Sequence, residues 1–287
     1  MEPLSPAAVE SANEKSRRLR DLLRAPEILV MPGAFNVLSA LLFQHMGFPA
    51  IQASSAGIAN AMGYPDLALG RVRTIAATRQ MVEAVDLPVN ADGEGGFGGP
   101  EEVARTVRLF VEAGAAGMNM EDSVQEGERG LVPLGEQLDK IAAFMQARRD
   151  LGGEFLLNAR VDSFGVIRDD PASALAEAVR RGQAYAEAGA DSVFFLAVVD
   201  RDAIRTLVEE VPVPVSVFGL PGGPTVPELQ ELGVARVSFG SAFLRAAAGA
   251  VKRLADEIRE HGTLTSLEGA LSTADLRGAL DSRHNKS

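Results

Sequence analysis

The stretch LPVNADGEGGFGGPEEVARTVRLFVEAG, residues 87–114, holds one complete strand–loop–helix unit. A short apolar run (87–92) ends on Asp92, and a loop with five glycines follows. An amphipathic segment (100–114) then closes on Gly114, the expected helix stop. A buried strand followed by a helix is the repeating unit of α/β proteins. The number of such units therefore decides the fold.

Short apolar runs separated by helical patterns recur along the chain. The runs are EILVMPG (27–33), FPAIQASS (48–55), LPVNAD (87–92), AAGMNMED (115–122), EFLLNARVD (154–162), DSVFFLAV (191–198), VPVSVFG (213–219) and ARVSFGS (235–241). We take them to lack apolar–polar alternation, which is typical of strands buried on both faces. Eight such units predict an α/β fold, a modified (β/α)8 TIM barrel with extra C-terminal helices. A doubly wound open sheet is the alternative.

No interior linker is evident. We predict an N-terminal extension (1–25), one barrel domain (26–250) and a C-terminal helical segment (251–287).

Composition narrows the class of partner. The net charge of −11 argues against nucleic acid or an anionic membrane surface, although it permits an anionic small-molecule substrate. The chain has no cysteine, no apolar signal core and no apolar stretch long enough to span a membrane. We therefore expect a cytoplasmic protein.

Acidic side chains gather where the predicted strands end. Asp92 and Glu94 are two positions apart, so on a strand both would point into the barrel mouth. Two neighbouring carboxylates need a cation or a shared proton, and a hard divalent ion suits oxygen ligands. The alternative is a solvated acidic turn. Glu121 and Asp122 end the next strand, with Asp122 the better candidate for a structural role.

Other polar residues at strand ends have two interpretations each. Arg160 is either a salt-bridge partner of the acidic cluster or a bidentate clamp for a substrate carboxylate. Ser54 and Ser55 begin a small-residue turn that either cradles a carboxylate or serves packing. Asp66 is either a metal-side group or a cap.

Absences exclude other chemistries. The lysines (15, 140, 252 and 286) and the histidines (45, 261 and 284) all lie away from predicted strand ends. A Schiff-base aldolase, a histidine-ligated zinc site and a serine–histidine triad are therefore disfavoured.

The motifs GYPD (63–66), ADGEGGFG (91–98), AGAAGMNMEDS (113–123) and NARVD (158–162) together resemble those of the isocitrate lyase/phosphoenolpyruvate (PEP) mutase superfamily. The resemblance extends over residues 25–250.

This resemblance implies Mg²⁺, with Mn²⁺ as an alternative, bound by Asp92 directly and by Glu94 through water. Asp66 and Glu121 match positions hydrogen-bonded around the metal, and Arg160 matches the arginine that grips the substrate. The resemblance also implies that Ser54, Ser55 and Ala56 hold the substrate carboxylate. Asn158, at the same rim, is included among the candidate substrate-binding residues. The resemblance also implies a homo-oligomer, either a dimer or a tetramer, in which the tail after Val251 packs on a neighbouring subunit.

The loop after the fourth strand departs from the family pattern. It reads SVQEGERGLVPL (123–134) and lacks the K-[KR]-C-G-H motif of isocitrate and methylisocitrate lyases. The lysine, asparagine and serine pattern of PEP mutase is absent too. Proton transfer is therefore assigned to Glu128, with Glu126, Tyr64 or water as alternatives.

These observations favour a Mg²⁺-dependent lyase or decarboxylase that breaks a C–C bond in a small 2-oxo or 2-hydroxy acid through an enolate. Oxaloacetate-like and methylisocitrate-like acids are the expected substrates. P–C cleavage or phosphoryl transfer on phosphonopyruvate or PEP, and binding of 2-oxo acids without turnover, are the alternatives. The segments PGGP (221–224) and FGSAF (239–243) could form a phosphate site, but ordinary turns explain both segments better.

Overall fold

The computed structural model describes residues 4–124 and 130–284, with side chains described as far as Asp281. The strands are β1 (Leu29–Met31), β2 (Gly33–Ala34), β3 (Ile51–Ala53), β4 (Val89–Asp92), β5 (Gly117–Glu121), β6 (Leu156–Val161), β7 (Ser192–Phe195), β8 (Val215–Phe218) and β9 (Arg236–Ser238). The helices are α1 (Pro6–Arg24), α2 (Val37–His45), α3 (Ser55–Ala61), α4 (Arg71–Ala84), α5 (Pro100–Glu112), α6 (Leu134–Asp150), α7 (Ser163–Val166), α8 (Pro171–Glu187), α9 (Arg201–Glu210), α10 (Val226–Glu231), α11 (Ala242–His261) and α12 (Thr273–His284).

The strands form one parallel sheet that closes on itself. Its order is β1-β9-β8-β7-β6-β5-β4-β3-β2, and every neighbouring pair is parallel. Pro32 separates β1, which pairs with β9, from β2, which pairs with β3. The first predicted run thus supplies both β1 and β2, which join the two ends of the sheet and close the barrel. The TIM-barrel prediction is confirmed, and each of the eight predicted runs contains a strand.

The expectation that the strands lack alternation is wrong. On β4 to β9, inward polar or aromatic side chains alternate with apolar ones that face the helices, as in Val89-Asn90-Ala91-Asp92. The Asn119 side-chain oxygen on β5 accepts from Asn90 on β4 at 2.8 Å and from Asn158 on β6 at 2.7 Å. A two-residue period places this polar set in the barrel interior.

A buried arginine crosses that interior. Arg236 begins β9 and is 2% exposed; its Nη2 donates to Gln52 Oε1 at 2.5 Å and its Nη1 to Asn119 Oδ1 at 3.5 Å. Its guanidinium lies 5.7 Å from the centre of the Phe194 ring. Burial lowers the pKa of Arg236 to about 10, against the opposing effect of the Asp92 charge. The side chain therefore stays cationic at neutral pH.

Terminal helices close one end of the barrel and flank its side. On α1, Leu19 and Leu23 are buried against Leu29, Met31 and Leu156, and the Ser16 hydroxyl donates to the Ala116 carbonyl at 2.8 Å. The predicted N-terminal extension thus packs into the fold. At the other terminus, α11 buries none of its residues and α12 returns to pack on α2. In the described part of the chain, no helix combines the length and apolarity needed to cross a membrane.

Asp122 joins the ends of two strands to α8. It is fully buried; it accepts from the Asp162 backbone N–H at 2.9 Å, the Tyr185 hydroxyl at 2.7 Å and Arg181 Nη1 at 3.1 Å. Arg181 Nη2 also donates to the Val132 carbonyl at 2.9 Å, which ties down the loop that follows β5. The structural role predicted for Asp122 agrees with these contacts.

Removing Asp122 should therefore destabilise the barrel. We expect Asp122→Ala to lower the free energy of unfolding by about 3–5 kcal/mol, because Arg181 keeps only Glu177 as a carboxylate partner and the buried Tyr185 hydroxyl and Asp162 N–H lose their acceptor. Tyr185→Phe removes two hydrogen bonds, one donated to Asp122 and one accepted from Arg181, and should cost about 2 kcal/mol. Asp202→Ala, which breaks the exposed pair with Arg205, is the control and should cost about 1 kcal/mol or less. Urea unfolding measures all three; equal effects would contradict the expectation.

Candidate functional site

A cavity of about 220 Å³ opens at the carboxyl ends of the strands. This is the end of a TIM barrel at which active sites are built. Its size suits a small metabolite, because pockets for drug-sized ligands span roughly 300–1,000 Å³. The lining residues are Gln52, Ser54, Ser55, Ala56, Asp66, Asp92, Asn119, Arg160, Phe194, Leu196, Phe218, Ser238, Gly240 and Ser241.

Asp92 ends β4 and faces the cavity with its carboxylate held in place. Its Oδ2 accepts from the Ser55 hydroxyl at 2.9 Å and the Ser55 backbone N–H at 3.3 Å, and its Oδ1 accepts from the Glu94 N–H at 3.2 Å. Ser55 therefore orients the predicted metal ligand.

The two-residue spacing suggested that Glu94 shares a strand with Asp92. In the structure β4 ends at Asp92, so Glu94 lies in the loop that follows. Its backbone has φ 47°, a left-handed conformation that is uncommon for a residue other than glycine. Hydrogen bonds hold this conformation: the Glu94 carbonyl accepts from the Glu121 N–H at 2.9 Å, and Gly96, with φ 91°, continues the turn. Glu94 lines a second, larger cavity of about 790 Å³ with residues of α4 and α6.

The carboxyl of Glu94 is nevertheless coupled to the acidic cluster. Glu94 is 6% exposed; burial, followed by the charges of Asp92, Glu121 and Asp66, raises its pKa from the ordinary value of 4.5 to about 8. Asp66 is exposed overall, but it is one of the residues that line the first cavity. Loss of water there, together with the Asp92 charge, raises the pKa of Asp66. The structure thus brings these carboxylates close enough to repel one another.

Arg160 on β6 is the partner of two carboxylates. Its Nε and Nη2 donate to the two oxygens of Asp162 at 2.6 Å and 2.8 Å, and its Nη1 pairs with Glu121 Oε2. Of the two interpretations of Arg160, the salt bridge is the one present. Arg160 also lines the cavity, so its charge is available to an anion there.

The remaining predicted residues differ in position. The Ser54 hydroxyl caps α3 by accepting from the Gly57 N–H at 3.2 Å, and Ala56 lines the cavity beside it. Asn158 lies deeper, with its Oδ1 accepting from the Ser192 hydroxyl at 2.6 Å. The Tyr64 ring packs under Arg73, 5.2 Å from its guanidinium carbon, and is not part of the cavity lining. Glu128, like Glu126, falls outside the described residues.

Several lining residues were not found by sequence reasoning. Asn119 is the clearest case: its oxygen accepts from Asn90, Asn158 and Arg236, which leaves its NH₂ group as the donor that faces the cavity. Ser238, Ser241 and three apolar residues (Phe194, Leu196 and Phe218) complete the wall. Alternation along the strands would have placed Asn119, Phe194, Phe218 and Ser238 on inward positions.

The side-chain donors at this site determine which metal ion it could hold. In the part of the chain that the structure describes, no three side chains of the metal-binding types converge into a protein cage. Mg²⁺ rarely needs one, because it keeps several waters and binds through one or two carboxylates. Hard oxygen donors, a preoriented Asp92 and an excess of negative charge over Arg160 fit such an ion.

Comparison with known proteins agrees with this geometry. Residues 19–259 match the family model described as phosphoenolpyruvate phosphomutase. The 2-methylisocitrate lyase of Bacillus subtilis is 35% identical over 264 residues, which cover 88% of this chain and 84% of that protein.

Two solved structures are similar throughout. Oxaloacetate acetylhydrolase bound to the inhibitor 3,3-difluorooxalacetate is 25% identical with a TM-score of 0.83, covering 93% of each chain. The 2,3-dimethylmalate lyase described as a PEP mutase/isocitrate lyase superfamily member is 27% identical with a TM-score of 0.83, covering 94% of this chain and 96% of that one. The match over most of the chain confirms the resemblance seen in the motifs: this protein belongs to the phosphoenolpyruvate phosphomutase family, within the isocitrate lyase/PEP mutase superfamily.

Proposed function

We propose that this protein is a Mg²⁺-dependent lyase that cleaves a C–C bond in a small 2-oxo or 2-hydroxy carboxylic acid. The observation that carries the proposal is a cluster of carboxylates at the barrel mouth. Asp66 and Asp92 line the small cavity, whose described lining has one cation, Arg160, and the charges of Asp92, Glu121 and Asp66 act on the buried Glu94 beside it. The names of the relatives, 2-methylisocitrate lyase and 2,3-dimethylmalate lyase, support a carbon–carbon lyase.

Asp92 would hold the ion directly and Glu94 through water, with Mn²⁺ as an alternative metal. When bound, the ion would supply Lewis-acid stabilisation of the negative charge that collects on an enolate oxygen as the bond breaks. Glu121 and Asp66 would accept hydrogen bonds from water around it. Glu121 is also held by Arg160, so its position is fixed before substrate arrives.

The protein's own groups would orient the substrate. Arg160 would attract the carboxylate, and donors at the Ser54–Ala56 turn and the Asn119 NH₂ would fix it. Asn158 would contribute indirectly: its side-chain NH₂ donates to the Asn119 oxygen and so orients the Asn119 amide. For proton transfer we propose Glu128, with Glu126, Tyr64 or water as alternatives, since a group must protonate the departing carbon.

We also propose that the chain is a cytoplasmic homo-oligomer, a dimer or tetramer. The absence of cysteine suits a reducing compartment. The C-terminal segment exposes six large apolar side chains, which an interface would bury: Val251, Ile258, Leu264, Leu267, Leu271 and Leu280.

Metal and substrate uptake should depend on Asp92. In calorimetry, the wild-type protein should bind Mg²⁺, and 2-oxo acids should bind at least tenfold more tightly with Mg²⁺ than without it. Asp92→Asn, which keeps a hydrogen-bond acceptor for Ser55 but loses the charge, should abolish both effects and the release of a 2-oxo acid from a substrate panel. Asp202→Ala is the surface control. Unchanged Mg²⁺ affinity in Asp92→Asn would remove the basis of the proposal.

Glu94 should make stability depend on pH in the absence of metal. Between about pH 4.5 and 8 the folded protein keeps the Glu94 proton that the unfolded chain has lost. The stabilisation is complete below pH 4.5 and declines as pH rises through 8, with a slope of at most about 1.4 kcal/mol per pH unit.

Glu94→Gln should therefore match wild type near pH 4 and exceed it in free energy of unfolding at pH 9. Mg²⁺ at pH 9 should narrow this gap, because it stabilises the ionised wild-type side chain. Urea unfolding at pH 4, 7 and 9, with and without Mg²⁺, provides the measurement. A difference independent of pH would refute the assignment of the raised pKa to Glu94.

The oligomer should depend on the C-terminal apolar side chains. Replacing Leu264 and Leu267 together with aspartate should shift the mass in sedimentation equilibrium to that of a single chain. Val72→Asp, at an apolar position that is 78% exposed on α4, is the control and should leave the mass unchanged. A wild-type protein of 30.2 kDa in solution would contradict the oligomer outright.

A further inference from the structure

The cavity has two chemically different sides. The ends of β4, β5 and β6, with the loop after α3, contribute Asp92, Asn119, Arg160 and Asp66. The ends of β7 and β8 contribute Phe194, Leu196 and Phe218. A substrate held by its carboxylate at the polar side therefore extends its other end toward an apolar wall.

Among the lining residues that the structure describes, that wall offers no charged partner to a second carboxylate, and the polar groups beside it, Ser238 and Ser241, are neutral. Arg160 is the one cation in the described lining, and it lies on the polar side, where it pairs with Asp162 and Glu121 and would face the first carboxylate. Arg236, a buried cation, lies 5.7 Å from the centre of the Phe194 ring and is not part of the lining. A carboxylate against Leu196 and Phe218 would lose water without gaining a charged partner, which is costly.

The wall is also held rigidly. The Phe194 and Phe218 rings stack with centroids 6.5 Å apart. A Cβ atom at Gly240 would come within 2.7 Å of the Phe218 ring, so the backbone after β9 packs directly on that side chain. Arg236 supports Phe194 from the barrel interior. Neither ring can turn aside easily to admit a polar group.

We propose that the substrate is a 4-hydroxy-2-oxo acid with a single carboxylate and an apolar group on C4. Leu196 and Phe218 would be the residues that determine this specificity. The inference rests on the lyase function proposed above and narrows its substrate class. The fragment released is an uncharged aldehyde rather than a second acid.

The bond changes balance without an oxidant or reductant. A base removes the proton of the C4 hydroxyl, the C3–C4 bond breaks, and its electron pair passes to C3 as the enolate of a 2-oxo acid. The C4 carbon becomes the carbonyl carbon of the aldehyde. A proton delivered to C3 then gives the 2-oxo acid, so one proton is taken up for the one removed.

Binding of a matched pair of acids tests the wall without requiring turnover. The acids 2-oxopentanoate and 2-oxoglutarate have the same chain length, and they differ in ending with a methyl group or a carboxylate. In calorimetry with Mg²⁺ and the wild-type chain, 2-oxopentanoate should bind at least tenfold more tightly. Equal binding, or tighter binding of 2-oxoglutarate, would overturn the inference.

A charge placed in the wall should reverse this preference. Leu196→Arg should favour 2-oxoglutarate over 2-oxopentanoate, whereas Val72→Arg, at an exposed position on α4, should keep the wild-type order. With the wild-type protein, 4-hydroxy-2-oxopentanoate should yield pyruvate with a kcat/KM at least tenfold above that for release of pyruvate from oxaloacetate. Faster release from oxaloacetate would count against the inference.

The outcomes separate the two proposals. If neither acid binds in a way that depends on Mg²⁺ and Asp92, the lyase proposal itself fails. If 2-oxoglutarate binds more tightly and its binding depends on Asp92, the lyase proposal stands and only the apolar substrate class is lost.

Discussion

Repulsion among carboxylates at the barrel mouth is the constraint on which the rest of the site depends. Asp92 and Glu121 are buried near Glu94, whose own pKa rises first because it is buried and then because these neighbours are charged. One arginine, Arg160, neutralises part of this charge, and Arg236 adds a positive charge beneath. Without a bound cation, the repulsion among these carboxylates lowers the stability of the barrel. Charged groups held in such unfavourable surroundings are common at functional sites.

Neutral amides carry the positions of these charged groups through the barrel interior. Asn119 connects strands on opposite sides of the barrel by accepting from Asn90, Asn158 and Arg236. Because the three donors fix the Asn119 oxygen toward the barrel interior, the NH₂ group of the same amide is directed toward the cavity. The clamp at Asp122 fixes the backbone of the neighbouring strand ends in the same way. Each polar group therefore has its orientation set before a ligand enters.

Much of the site could be predicted from the sequence because strand ends in a parallel barrel converge at one rim. This rule placed Asp92, Arg160, Ser55 and Asp66 together correctly. It failed for the backbone of Glu94, whose left-handed conformation depends on a hydrogen bond from Glu121 on another strand. It also missed Asn119 and the phenylalanines, because the strands were taken as uniformly apolar when inward residues alternate with outward ones.

The sequence by itself determined the eight strand positions, the closed barrel and the family. Local apolar runs, glycine stops and motif spacing depend only on neighbours along the chain. Tertiary structure alone decided that Arg160 engages Asp162 and Glu121, that Arg236 lies beneath the cavity floor, and that Phe194, Leu196 and Phe218 form one wall. These contacts join residues from different strands, and their geometry depends on how the barrel closes.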